Sequence, residues 1–79
     1  MEIDDFQIEN RCVRVATDRK SQTINICLPG RQPQDEEEYE QVWRIRRPDA
    51  PLTPRQYQAV TPIEALVNLV QRAGGVREV

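Results

Sequence analysis

The chain has 79 residues, 38% apolar and 30% charged, with a net charge of -2. A chain this short has room for one domain and one small core, and buries only about 60% of its unfolded surface. Nearly balanced charge argues against a basic nucleic-acid binder, and no apolar run approaches the roughly 20 residues needed to cross a bilayer.

The opening Met1-Glu2-Ile3-Asp4-Asp5 is acidic and lacks the basic-then-apolar pattern of a signal peptide, so the expected location is cytoplasmic. Residues 2–8 alternate at Phe6 and Ile8 and read as a short edge strand, followed by a turn at Glu9-Asn10. Residues 11–17 and 22–28 alternate with period two and form the strongest hairpin signal in the chain. A four-residue loop, Asp18 to Ser21, pairs Thr17 with Gln22, so Val13 opposes Ile26 and Val15 opposes Ile24. Leu28 shares the apolar parity of Ile24 and Ile26. Cys12 then faces Cys27 on the other side of the sheet, beside Arg14, Ala16, Thr23 and Asn25, a face expected to stay wet or to meet a partner.

Residues 29–38 carry two prolines, a glycine and four acids, which cannot continue a sheet. Strand character resumes over 39–46, with Tyr39, Trp43 and Ile45 on one parity and Arg44 and Arg46 on the other. Arg47 to Pro54 holds three prolines and is a loop. Residues 55–60 read as a last strand pairing back with 39–46; the alternative is a helical turn from Thr53 with Gln56 closing a capping box.

Residues 61–74 form the one segment legible as a helix from start to stop. Thr61 suits an N-cap, Pro62 the first helical position, Glu64 a capping box and Gly74 the C-terminal stop. Ile63, Leu66, Leu69, Val70 and Ala73 share one stripe, and residues 75–79 read as a frayed tail. The expected fold is α+β: a small antiparallel meander of three to five strands with one C-terminal helix on one face.

The chain has no histidine, which removes the commonest general base, the Ser-His and Cys-His dyads and the usual zinc ligand. Neither G-x-x-x-x-G-K-[ST] nor G-x-G-x-x-G is present. No catalytic residue, cofactor or metal site is expected, and the protein is read as not an enzyme. Cys12 and Cys27 are read as free thiols in a reducing compartment, with a cross-strand disulfide as the alternative.

Asp35, Glu36, Glu37, Glu38 and Glu40 put five carboxylates in six residues. The plainer reading is a solvated loop offset by Arg44, Arg46 and Arg47. The functional reading is imitation of a phosphate backbone, since an extended acidic segment spaces its charges much as one DNA strand does, roughly 3.4 Å apart. The run lacks the D-x-D-x-D-G order of a calcium loop. Arg44 and Arg46 fall on the strand face opposite Trp43, so stacking and phosphate contact would not cooperate and direct nucleic-acid binding is not favoured. Tyr57, beside Arg55, is an interface anchor or a rim residue.

The strand-rich body ending in Thr61-Pro62-Ile63-Glu64-Ala65-Leu66 resembles many small bacterial and phage domains. That resemblance covers one helix and its cap and carries no functional residue across. The functional expectation is a small non-catalytic protein that covers a surface of another protein, in the manner of a phage-encoded inhibitor of bacterial defence (an anti-CRISPR) or an immunity protein. The expected partner is a protein, one that binds nucleic acid on the phosphate-mimic reading. Its contact residues would be Asp35, Glu36, Glu37, Glu38, Glu40, Arg44, Arg46 and Tyr57. The alternative is a homodimeric accessory domain.

Overall fold

A computed structural model describes residues 1–47 and 49–79. The fold is α+β: a five-stranded antiparallel sheet in the order β1-β2-β3-β4-β5, with two helices between the fourth and fifth strands. The strands are β1 (Glu2–Ile8), β2 (Arg11–Thr17), β3 (Gln22–Cys27), β4 (Tyr39–Ile45) and β5 (Val76–Arg77); the helices are α1 (Pro54–Gln58) and α2 (Ile63–Arg72). Glu9 and Asn10 both have positive φ, 53° and 62°, the conformation that matches a two-residue hairpin loop to the sheet twist. At the next turn the Asp18 carboxylate accepts from the Lys20 and Ser21 amides at 2.7 and 2.8 Å, closing the loop from its own side chain.

Alternation sorts the sheet into two faces. Val13 pairs with Ile26 and Val15 with Ile24; Ile24 in turn pairs with Trp43 and Gln22 with Ile45. These residues line the covered face, joined by Ile8 from β1 and by Leu52, Tyr57, Ile63, Leu66 and Val70 from the crossing segment. Helix α2 buries Ile63, Leu66 and Val70, with Val67, Leu69 and Ala73 partly buried on its flanks. It stops in a Schellman arrangement: Gly75 N–H donates to Val70 O (2.8 Å), Gly74 N–H to Gln71 O (3.0 Å), and Gly74 takes φ 86°. A Cβ on Gly75 would stand 2.9 Å from Val70 O, so the chain can leave the helix this tightly only without a side chain there.

Several expectations need correction. Residues 55–60 are not a strand: Pro54–Gln58 is helical, started by a capping box in which Gln56 Oε1 accepts from Thr53 N–H at 2.8 Å. Thr61 does not cap α2. The Ala65 and Leu66 amides donate to Pro62 O, which makes Pro62 the N-cap of a helix that begins at Ile63 and leaves the Thr61 hydroxyl one residue too early. The tail is not wholly frayed, because Val76 and Arg77 pair with Arg44 and Trp43. Strand β3 stops at Cys27, leaving Leu28 37% exposed rather than in the core. Pro48, one of the three prolines of the 47–54 loop, lies outside the described residues.

Candidate functional site

The acidic run is a built turn. Glu36–Glu38 form a 3-10 turn entered from Asp35, and none of the three is buried. Its backbone is closed by Asp35 N–H to Gln32 O (3.1 Å) and Glu38 N–H to Asp35 O (2.8 Å). Its end is tied to the sheet where Leu28 N–H donates to Glu38 O at 2.8 Å, and Gly30 N–H bonds Asn10 O at 2.9 Å across the top of the β1–β2 hairpin. Pro33, in the middle of the loop, is buried. Residues 28–38 therefore fold back on the sheet rather than hanging from it.

The acids in this run are of two kinds. Glu38 pairs with Arg31 at 3.6 Å, and Glu40 is ion-paired with Arg11, whose side chain is only 14% exposed. Among the described residues Asp35, Glu36 and Glu37 make no ion pair, and their carboxylates face solvent. The cations expected to offset the run lie elsewhere. Arg44 and Arg46 converge on Glu78 at 2.9 and 3.8 Å, drawn there by the β4–β5 pairing. The structure thus separates the proposed contact residues into an acidic turn and an arginine pair on the far side of β4. Arg11 and Arg31, which sequence reasoning passed over, are the turn's true counter-ions.

Tyr57 is not an exposed anchor. It is 3% exposed, stacks on Phe6 with ring centroids 5.4 Å apart, and donates its hydroxyl to Asp4 Oδ2 at 2.7 Å. Helix α1 turns it inward. The only sequence signal for this was the spacing of Thr53 and Gln56, because a strand would have pointed Tyr57 elsewhere.

Among the described residues, the second face of the sheet carries no helix. The pairings set Ile3, Ala16, Thr23, Arg44 and Val76 in one row across it, and Asp5, Arg14, Asn25 and Val42 in the next. Arg14 holds Asp5 through two bonds, 2.8 and 3.0 Å, and this contact lowers the Asp5 pKa. Ile3 and Val76, at opposite ends of their row, are 57% and 65% exposed.

The expectation that this whole face stays wet or meets a partner fails at its third row. Cys12 and Cys27 are free thiols but buried, 7% and 0% exposed, at the end of the sheet from which segment 28–38 departs and to which it returns. Burial pushes the Cys27 thiol up to about 11, with the nearby Cys12 adding to the rise, and raises Cys12 as well. Among the described residues no three His, Cys, Asp or Glu side chains are grouped to hold a metal ion. Compared with protein-family models, curated proteins and solved structures, the chain matches none.

Proposed function

We propose that the chain is a small non-catalytic binding protein that occludes a basic, nucleic-acid-binding surface of another protein, working in the cytoplasm as an inhibitor of a bacterial defence system or as an immunity protein. One observation carries this reading: Asp35, Glu36 and Glu37 project from a turn whose ends are bonded to the sheet and whose neighbouring acids are already neutralised by Arg11 and Arg31. Free charge on an anchored backbone costs little ordering entropy on binding, and unneutralised carboxylates speed and orient encounter with a positive surface. The test is capture from the native host with wild-type chain and with the E36K/E37K double variant. The reading expects a basic protein in the wild-type capture, depleted as salt rises and absent with the variant. Equal capture by both chains overturns it.

A second reading, a homodimeric accessory domain, is favoured by Ile3 and Val76, which leave apolar side chains at both ends of the open face. Sedimentation at micromolar concentration decides it. A dimer that Ile3→Asp dissolves supports it, and a wild-type monomer rejects it.

A further inference from the structure

The geometry points to Cys12 and Cys27 as an oxidation site: a thiol pair that closes to an intrachain disulfide when a peroxide oxidises it. Asp18 N–H donates to Ser21 O across the β2–β3 turn, which makes that pair hydrogen-bonded. Bonded pairs then recur at every second step of the register, through Ala16 with Thr23 and Arg14 with Asn25. The register ends at Val13 with Ile26, and Cys12 and Cys27 each lie one residue beyond that last pair on their own strands, where β3 also shifts register against β4. Bonded antiparallel partners have Cα atoms about 5.5 Å apart, so residues flanking the last pair of the register are within reach of the roughly 4.4–6.8 Å window that a disulfide spans. Strand parity puts both side chains on the face opposite Val13 and Ile26, and Cys12 opposes ionisation of Cys27.

The chemistry closes without any further partner. Cys12, 7% exposed against 0% for Cys27, is the sulfur a small peroxide reaches first. Its sulfur attacks one peroxide oxygen and the O–O bond breaks; Cys12 becomes a sulfenic acid and one water leaves. The Cys27 sulfur then attacks the Cys12 sulfur, the S–O bond breaks, and the hydroxyl leaves with the Cys27 proton as a second water. Two thiols lose two electrons and two protons in all, and the peroxide takes them up. Burial and the raised thiol pKa values make the first step slow at neutral pH, so the pair reacts with sustained rather than brief peroxide exposure. Once formed, the bond ties β2 to β3 at the end from which segment 28–38 departs.

The test uses the full wild-type chain at a few micromolar, held in hydrogen peroxide, quenched with catalase, then unfolded and alkylated. The expected product is a monomer lighter by two hydrogens that takes up no alkyl group and releases the tryptic peptides 12–14 and 21–31 joined as one. Its unfolding midpoint should rise by roughly 5–10 °C and fall back on reduction. Two alkylated thiols after exposure, sulfinic acids at either position, or a bond joining two copies would each overturn the assignment. A joined pair with an unmoved or lowered midpoint would overturn the clamp.

Discussion

Gln22 and Leu52, thirty positions apart, clasp each other twice: Leu52 N–H donates to Gln22 Oε1 at 2.9 Å, and Gln22 Nε2 donates to Leu52 O at 2.8 Å. The side-chain amide stands in for a strand, satisfying a buried stretch of loop that has no ladder to join. A third bond, Nε2 to Thr17 Oγ1 at 2.8 Å, completes the amide's donors. Gln22 is 3% exposed, so its partners have no access to water through it. Gln22→Ala leaves the Leu52 amide and carbonyl buried without partners, and should cost about 2–4 kcal/mol. Urea denaturation checks this as a lowered midpoint with an unchanged slope.

Tyr57 and Cys27, together with Tyr39 and Cys12, whose pKa values burial also raises, shape the alkaline side of stability. Burial first, and then the bond to Asp4, hold the Tyr57 phenol well above its ordinary value. Burial moves the Cys27 thiol from the ordinary 9.0 to about 11. Both groups keep their protons in the folded chain after the unfolded chain has lost them. Stability they contribute is therefore complete below the unfolded pKa and declines above it, from pH 9.0 to about 11 for Cys27 and from pH 10.0 upward for Tyr57. Tyr57→Phe should cost about 1–2 kcal/mol at neutral pH through the lost hydroxyl bond. In thermal melts across alkaline pH it should reduce the later decline to the share of Tyr39 and keep the one that begins near pH 9.

These two sites show what alternation reveals and what it hides. The β2–β3 register was legible because a shift by one residue would have buried Arg14 and Asn25 in place of Val15 and Ile24. Periodicity reports only which side of a strand is apolar. It does not report what returns to cover the other side, so the thiol pair read as wet although both sulfurs are buried. Competing local signals decided the 53–62 stretch. At Thr53 the reciprocal bonds with Gln56 outweigh a weak period-two pattern, whereas at Thr61 the same motif fails because α2 begins one residue later. The acidic turn was legible as charge, but its counter-ions were not. Arg11 and Arg31 reach it through a fold-back of the chain that no spacing in the sequence announces.

The adjacent glycines that end α2 should respond unequally to alanine. Gly74 has φ 86°, and the nearest atoms a Cβ would meet are those of the Arg47 side chain, in ordinary contact at 3.4 Å or beyond. Its substitution costs the left-handed conformation alone, about 1–2 kcal/mol. Gly75 lacks positive φ, yet its Cβ would press on the Val70 side chain and stand 2.9 Å from the Val70 carbonyl, whose helix backbone cannot give way. Gly75→Ala should cost about 1–3 kcal/mol by overpacking and loosen the bond from Gly75 N–H to Val70 O. Hydrogen exchange at that amide separates the two, with protection lost in Gly75→Ala and largely kept in Gly74→Ala.

Within the acidic run, charge and stability should come apart residue by residue. Glu36 and Glu37 are exposed and, among the described residues, unpaired, so reversing both to lysine should change folding stability by less than about 0.5 kcal/mol. Glu40 differs because its partner, Arg11, keeps only 14% of its side chain exposed while its Nε donates to Cys27 O at 3.0 Å. Glu40→Ala strands a largely desolvated guanidinium beside the end of β3. The cost should be about 1–2 kcal/mol, more than an exposed ion pair contributes and less than a fully buried one. Because Glu40 itself is 43% exposed, part of that cost should be recovered as water reaches the vacated side. Arg11→Met, which removes the cation and keeps the aliphatic stem, combined with Glu40→Ala should be more stable than Glu40→Ala alone. Denaturation of the two single variants and the double variant closes the cycle, and a double variant no more stable than Glu40→Ala would show that the guanidinium finds solvent unaided.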